Sequence, residues 1–211
     1  MPVVITLTLT TRPGHYDQAL ETYLAFVDAL EEAVDDLKLA LIAGEPGQDT
    51  IHAVGIYESA EVAEELASLP FFAAMVDSLE PHLAETPDRV EMELVGLFAT
   101  DLDVKMPEIG KASLVEVGYR AKLGHADEVL AIHEGYAAEF QTLDHDASII
   151  LETALPGTGR FRVFVLYQHA DVAAAEGVGR KVENIYDSLD HLLAEPPRRT
   201  ELHLVHAFAR P

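Results

Sequence analysis

The chain has 211 residues, of which 49% are hydrophobic, and its 37 acidic and 14 basic side chains give a formal net charge of −23. A surface this negative repels phosphate backbones and anionic lipids, which argues against nucleic-acid and membrane partners. The chain contains no cysteine, which excludes disulfides and thiolate metal sites. Because the N-terminal residues also lack the pattern of a signal peptide, we expect a cytoplasmic protein.

The first part of the chain predicts a strand, a helix and a β-hairpin. Apolar and polar residues alternate over Val3–Thr10, which predicts a strand. Apolar residues then recur at steps of three and four from Gly14 to about Asp35, which predicts a helix with one buried face. Residues 37–43 and Thr50–Tyr57 are further predicted strands, and the Pro46-Gly47 turn between them indicates a hairpin.

A second helix and a fourth strand follow the hairpin. Ser59 is a suitable N-cap for this helix, and Pro70 should kink or divide it. Alternation predicts the fourth strand over residues 90–98. The order strand, helix, strand, strand, helix, strand is that of the split βαβ, or ferredoxin-like, unit.

The sequence then repeats itself at an offset of 110 positions (124 − 14). The stretch 12–20, which opens the first helix, matches 122–130 at a Gly, a His, an Asp and a Leu position, and further matches follow in the same register without a gap. Such a series indicates a duplication. We therefore predict two ferredoxin-like repeats, at 1–101 and 113–211, joined by a linker at 102–112.

Each predicted sheet has one apolar face, which should lie under the helices of its own repeat, and one mixed face. In the second repeat the mixed face is expected to include Glu116, Glu152 and Arg162. These faces are too apolar to be wholly exposed, so we predict that they pack sheet on sheet as an internal pseudo-dimer. The predicted fold class is thus α+β, with two tandem βαββαβ units forming one intrachain barrel. Pairing of whole chains into a homodimer stays open.

These motifs resemble the dimeric α/β-barrel superfamily, and in particular its antibiotic-biosynthesis-monooxygenase-like branch. In the first copy the resemblance is carried by the Gly14-His15 turn, the strand-end sequence 57–62, residues 67–71 of the divided helix and the closing strand to Phe98. The second copy is weaker but keeps Tyr167. Together the two copies cover nearly the whole chain.

The resemblance implies cofactor-independent oxygenation of a small hydrophobic or aromatic molecule in a pocket between helices and sheet. No tightly bound cofactor is predicted, but haem and flavin stay open because the superfamily includes haem proteins. The chain departs from the members that oxygenate aromatic polyketides or degrade haem, since it has no Trp and its only Asn is Asn184. A non-catalytic ligand-binding or stress-related protein is therefore the alternative.

Four side chains are candidates for chemistry. Tyr57 and Tyr167 end the third strand of their repeats, where a ring can enter the space under the helices while its hydroxyl reaches a pocket mouth. His133 lies on the sheet-facing side of its helix, at the position equivalent to Tyr23, and His206 lies on the apolar face of the last strand. Either histidine could act as a general base or an axial ligand, and any of the four could instead be a satisfied core residue.

The two repeats differ where a cavity would form. Gly55 and Gly96 of the first repeat correspond to Val165 and His206 of the second, and a glycine within a strand often marks room close to the sheet. We therefore predict a larger apolar cavity in the first repeat and a more polar or filled one in the second. The predicted ligand pocket comprises Leu9, Tyr23, Gly55, Phe72, Met75, Gly96 and Tyr119.

No metal site is predicted. His203 and His206 are three residues apart on a strand, so they point to opposite faces and cannot share one ion. The run Asp144-His145-Asp146 is expected to be a solvated helix end. The predicted partner is accordingly a small hydrophobic molecule.

Overall fold

The structure is a computed structural model, and it describes residues 1–34, 37–44, 49–99, 110–142, 147–171 and 188–209. Within these ranges the chain forms eight strands and four α-helices, with short 3-10 turns at Glu80–His82 and Asp190–Leu192. The elements are β1 Val3–Thr10, α1 Tyr16–Ala33, β2 Leu37–Gly44, β3 Thr50–Tyr57, α2 Ala60–Ala67, α3 Pro70–Leu79, β4 Asp88–Ala99, β5 Ser113–Arg120, α4 Ala126–Thr142, β6 Ala147–Leu155, β7 Arg160–Tyr167 and β8 Arg198–Ala209.

The duplication is visible in the bounds of these elements. Strands β1, β3 and β4 recur as β5, β7 and β8 at the offset of 110 residues that the sequence predicts. The isolated bridge between Thr11 and Leu83 likewise recurs between Ala121 and Leu193. The predicted fold class, α+β with tandem ferredoxin-like units, is therefore confirmed.

The repeated Gly-His stretch forms the turn that leads into the first helix of each repeat. Gly14 and Gly124 have φ angles of +78° and +85°, in the left-handed region that glycine adopts without a steric penalty. The turn is closed by a backbone hydrogen bond from His15 to Arg12 in the first copy and from His125 to Lys122 in the second. This geometry explains why the glycine is retained in both copies.

Two predicted features shape the helices of the first repeat. The Ser59 hydroxyl accepts a hydrogen bond from the Val62 backbone N–H at 3.3 Å, so Ser59 is the N-cap of α2. Pro70 is the first residue of α3 and divides the two helices, because proline lacks the N–H that a continuous helix would need. The corresponding interruption predicted at Gly177 and Gly179 lies outside the described residues.

The chain forms two compact units, one made of Met1–Glu91 with Leu204–Pro211 and the other of Met92–His203. In the first unit β3 lies between β1 and β2, and β8 follows β2 in the strand order. In the second unit the order is β8-β5-β7-β6-β4. The pairs β1–β3, β2–β3, β4–β6, β5–β7, β5–β8 and β6–β7 are all antiparallel.

The units differ from the predicted repeats because the closing strand of each repeat is long. Strands β4 and β8 each have 12 residues, and each is divided between the two units, β4 after Glu91 and β8 after His203. Most of the predicted linker at 102–112 lies outside the described residues. Because the end of β4 belongs to the second unit and the end of β8 to the first, residues on these strand ends lie in a different unit from the rest of their repeat.

Candidate functional site

The first unit contains a cavity of about 810 Å³, which we call the first-unit cavity. Its floor is formed by β1, β2 and β3, and its roof by α1, α2 and α3. The lining is mainly aliphatic and aromatic, as is usual for sites that bind small organic molecules. Five residues of the predicted pocket line it, namely Leu9, Tyr23, Gly55, Phe72 and Met75.

Tyr57 and Gly55 shape one wall of this cavity together. A Cβ atom at Gly55 would lie 3.0 Å from Cε2 of Tyr57 and 3.3 Å from its hydroxyl oxygen. The half-buried ring of Tyr57 therefore lies close beside a position that has no side chain. The second repeat has a valine, Val165, at the equivalent position. A valine in place of Gly55 would crowd the Tyr57 ring.

The two tyrosines of the first-unit cavity are un-ionised phenols near neutral pH. Burial raises the pKa of Tyr57 above its ordinary value, and the nearby guanidinium of Arg89 only partly opposes this. Burial also raises the pKa of Tyr23, and the proximity of Tyr57 adds to the effect. A neutral phenol donates a hydrogen bond and is a poor base, so Tyr57 is suited to orient a ligand and to stabilise negative charge on it.

Charged groups also line the cavity, among them Arg12 and Arg89. The Arg12 Nε donates to the carbonyl oxygen of Leu83 at 2.8 Å, which fixes that side chain. Arg89 forms an exposed ion pair with Glu91 at 3.3 Å. An exposed pair of this kind is weak, so the Arg89 guanidinium can turn toward a bound anion at little cost.

An aromatic cluster lies over the cavity between α1 and α3. The ring of Phe26 meets Phe72 edge to face, with centroids 4.6 Å apart, and it also contacts Phe71 and Tyr23 at 5.7 and 5.9 Å. Such contacts add to the apolar burial of the rings. The cluster gives the cavity an aromatic side, against which a planar ligand can stack.

No histidine occurs among the described residues that line the first-unit cavity, and an imidazole is one of the usual protein ligands of haem iron, beside cysteine, methionine and tyrosine. The two histidines considered as axial ligands, His133 and His206, do not line the cavity.

The second unit contains a buried pair formed by His133 and Glu152. The imidazole Nδ1 lies 3.0 Å from the Glu152 carboxylate, and the two residues are only 7% and 3% exposed. The His133 ring stacks on Tyr119, with centroids 4.7 Å apart and planes at 9°, and Tyr119 stacks in turn on Phe161. We call this arrangement the His133–Glu152 pair.

The position of Glu152 corrects the face predicted for it. Glu152 was expected on the mixed face of its sheet, but it lies opposite Val163 in the β6–β7 ladder and reaches His133 on α4. Val163 belongs to the apolar cluster of the second unit. The polar side chain of Glu152 does not show which face of the sheet it lies on, because His133 on α4 offsets part of the cost of burying the carboxylate. The ion pair between Arg162 and Glu116 fits the predicted mixed face.

Tyr167 is a buried member of the same apolar cluster, 3% exposed. Burial raises the pKa of Tyr167 to about 12, with a smaller opposing effect from Arg199. Like Tyr57, it is therefore a neutral phenol near pH 7. Its placement in the second unit separates it from the first-unit cavity.

His206 lies in a different unit from the rest of its sequence repeat. Its Nε2 is 2.8 Å from the Glu31 carboxylate on α1, in the first unit. The side-chain atoms of Asp28, Glu31 and His206 that could bind a metal ion all lie within 4.8 Å of one another. Sequence reasoning missed this group because it assigned His206 to the second repeat. The length of the closing strand β8, 12 residues, was the signal that could have indicated that its end belongs to the first unit.

Two residues of the predicted pocket, Gly96 and Tyr119, do not line the first-unit cavity. Both belong to the second unit. Gly96 lies opposite Glu152 in the β4–β6 ladder, and Tyr119 stacks on His133. The prediction assumed that each repeat closes its own cavity with its own last strand, whereas the end of β4 joins the second unit.

The helix-opening histidines have different partners in the two copies. His15 Nδ1 lies 3.1 Å from Nδ1 of His82, so one ring must donate and the other accept. His125 lies 3.1 Å from the Glu128 carboxylate. Leu192 stands where the first repeat has His82, so the histidine pair is confined to one repeat. Neither histidine lines the first-unit cavity.

No helix among the described residues is long and apolar enough to cross a membrane. The first repeat contains the predicted cavity, but residues 172–187, which include the predicted second helix region of the second repeat, lie outside the described residues. The predicted contrast between the two cavities therefore stays a prediction.

Comparison with known proteins identifies the fold. No family profile matches the chain, and no curated protein matches it. A protein of Fusobacterium nucleatum proposed to be a monooxygenase superposes with a TM-score of 0.84 at 9% identity, over 99% of this chain and 94% of that one. A proposed monooxygenase of Lactobacillus acidophilus gives 0.80 at 6% identity, over 99% and 96%.

An anthrone oxidase-like protein is also similar, with a TM-score of 0.68 at 13% identity, over 99% of this chain and 92% of that one. At such low identities the likeness shows the fold alone. The chain therefore has the fold of these monooxygenase-like proteins over nearly its whole length, built as a tandem duplication of ferredoxin-like units.

Proposed function

We propose that the chain is a cofactor-independent oxygenase that binds a small hydrophobic, aromatic substrate in the first-unit cavity. The observation that carries the proposal is the cavity itself, about 810 Å³ of mainly apolar space with the half-buried phenol of Tyr57 and the guanidinium of Arg89 on its wall. This volume lies in the range of sites that enclose small organic molecules. The monooxygenase-like descriptions of the structural neighbours support the same class of reaction.

Tyr57 and Arg89 would prepare the substrate for reaction with dioxygen. Both line the cavity, and the raised pKa of Tyr57 keeps its proton available as a hydrogen-bond donor. A donor and a cation directed at the same oxygen stabilise that oxygen as an anion. The substrate would thus bind as its phenolate or enolate, which is the electron-rich form that dioxygen attacks.

The proposed reaction balances without a bound cofactor. The anion of a substrate with an activated CH₂ group passes one electron to dioxygen, and the resulting radicals join to form a C–O bond. The proton released when the substrate anion forms is returned to the peroxide, and the resulting hydroperoxide loses water and leaves a carbonyl group. One dioxygen is consumed, one of its oxygen atoms stays in the product and the other leaves as water.

The proposal is tested by oxygen uptake with a panel of quinols and anthrone-type tricyclic ketones. Tyr57→Phe should lower kcat/KM by about tenfold to a hundredfold, because an oxyanion loses its donor. The matched control is Tyr167→Phe, the same change at the equivalent position of the other repeat, which should leave the rate unchanged. If the compounds stabilise the protein but no oxygen is consumed, the chain is a ligand-binding protein and not an oxygenase.

A further inference from the structure

We infer that the second unit carries a separate proton-transfer site, formed by the His133–Glu152 pair, for a small ligand with an acidic hydroxyl group, such as a phenol or an enol. This site shares no residue with the first-unit cavity. The inference therefore does not depend on the proposed oxygenase activity.

Burying the His133–Glu152 pair costs free energy of folding. Glu152 and His133 are 3% and 7% exposed, and the neighbouring residues Val129, Ile150 and Val163 form an apolar cluster. Removing a carboxylate from water is costly, and an ion pair offsets the cost only when every polar atom has a partner. Here the pairing is incomplete, because the second carboxylate oxygen, Oε2, is buried with no hydrogen-bond partner among the described residues.

The chain itself shows that an apolar alternative folds. At the offset of 110 positions, His133 corresponds to Tyr23 and Glu152 to Ile42. Tyr23 and Ile42 are 6% and 1% exposed in the first unit, at equivalent places on α1 and β2. Both line the first-unit cavity, so this fold accommodates a tyrosine and an isoleucine at these places without a buried charge. The histidine and glutamate are better explained by chemistry than by packing.

The geometry prepares His133 to accept a proton. A carboxylate can only accept hydrogen bonds, so His133 Nδ1 carries the proton that bonds Glu152 at 3.0 Å. In a neutral imidazole the lone pair then lies on Nε2. The stack on Tyr119 at 4.7 Å holds the plane of the ring. Glu152 is thus a positioning residue, and it stabilises the imidazolium that forms.

The proposed step is one proton transfer. The O–H bond of the ligand breaks, a bond between that hydrogen and His133 Nε2 forms, and the ligand keeps the electron pair as an oxyanion. The imidazolium is balanced by the adjacent Glu152 carboxylate. The unpartnered Oε2 is a place for a further donor, which an ordered water molecule can supply.

p-Nitrophenol is a direct probe, because its phenolate absorbs visible light and the phenol does not. Mixed with the full-length Tyr57→Phe/Arg89→Gln variant, which lacks the phenolate-stabilising groups of the first-unit cavity, at a pH below the pKa of the free phenol, it should show phenolate absorption that saturates with protein concentration. Nuclear magnetic resonance of protein labelled with ¹⁵N at histidine should show His133, assigned from His133→Gln, changing to the imidazolium form as the probe binds.

Two variants separate the chemical role from a structural one. The double variant H133Y/E152I, which restores the residues of the first repeat, should keep a melting temperature close to that of the wild type and lose the phenolate signal. Glu152→Gln should lower the signal at least tenfold, and the exposed control His125→Gln should leave it unchanged. If the double variant fails to fold, Glu152→Gln still decides. All of these variants are made in the Tyr57→Phe/Arg89→Gln background. The inference is overturned if that background gives no phenolate signal, or if either Glu152 variant made in it retains the signal.

Discussion

His206 Nε2 lies 2.8 Å from Glu31 Oε1, and these two residues are 175 positions apart in the chain. The bond connects the last strand, which belongs to the second sequence repeat, to the first helix of the first repeat. It lies within the first unit, because residues 204–211 belong to that unit. The closing strand of the second repeat thus contributes to the stability of the first unit.

We expect His206→Ala to destabilise the protein by about 1–3 kcal/mol, because it leaves a half-buried carboxylate without one of its partners. The control is His203→Ala, on the same strand at an exposed position, which should change stability by less than about 0.5 kcal/mol. Urea unfolding followed by circular dichroism measures both. Equal effects of the two substitutions would show that the bond to Glu31 does not stabilise the unit.

Gly55→Val should reduce ligand binding in the first-unit cavity. A Cβ at this position would already lie 3.0 Å from the Tyr57 ring, and Gly55 lines the cavity, so the larger side chain must displace that ring or fill part of the cavity itself. The control is Gly118→Ala, since a Cβ there meets nothing within 4 Å. The fluorescence of anilinonaphthalene sulfonate, an aromatic anion, reports the binding. Unchanged affinity for Gly55→Val would contradict the position assigned to the ligand.

Arg89→Gln should weaken the binding of the same anion about tenfold, which corresponds to the loss of one charge-assisted hydrogen bond. Arg199 provides a matched control, because it stands at the equivalent position and forms the equivalent ion pair, with Glu201 at 3.1 Å. Arg199→Gln should leave the affinity unchanged. An equal loss for both arginines would indicate a general effect of net charge.

Alkaline pH should destabilise the protein through its buried tyrosines. Burial raises the pKa of Tyr167 from 10.0 to about 12, so the unfolded chain loses this proton at a lower pH than the folded protein. The stabilising contribution is fully present below pH 10 and is lost as the pH rises toward 12. Tyrosinate absorbance should therefore appear together with unfolding, and Tyr167→Phe should reduce the loss of stability. Titration of Tyr167 near pH 10 in the folded protein would contradict this.

The local structure could be predicted from the sequence, and the exchange of strand ends could not. Alternation and turn residues gave β1 and β3 with their observed bounds, because these signals act over a few residues. Whether Gly96 and His206 complete their own repeat or the other unit depends on pairing between distant strands. The same limit explains why Glu152 was assigned to the wrong face, since its partner His133 lies on another element.

The lining of the first-unit cavity was predictable where a single repeat builds it. Leu9, Tyr23, Gly55, Phe72 and Met75 all come from the first repeat, and the periodicity of each element places them under the helices. The protonation states of Tyr57 and Tyr23 depend on burial in three dimensions and required the structure.

The most direct test of the proposed activity is the reaction of the purified protein with anthrone under isotopically labelled dioxygen, followed by mass spectrometry of the product. The proposed mechanism predicts an anthraquinone that carries one labelled oxygen atom, formed with the consumption of one dioxygen per substrate, and formed more slowly by Tyr57→Phe. A product without the label, or binding of anthrone without any product, would contradict the proposal that this cavity is the site of an oxygenase.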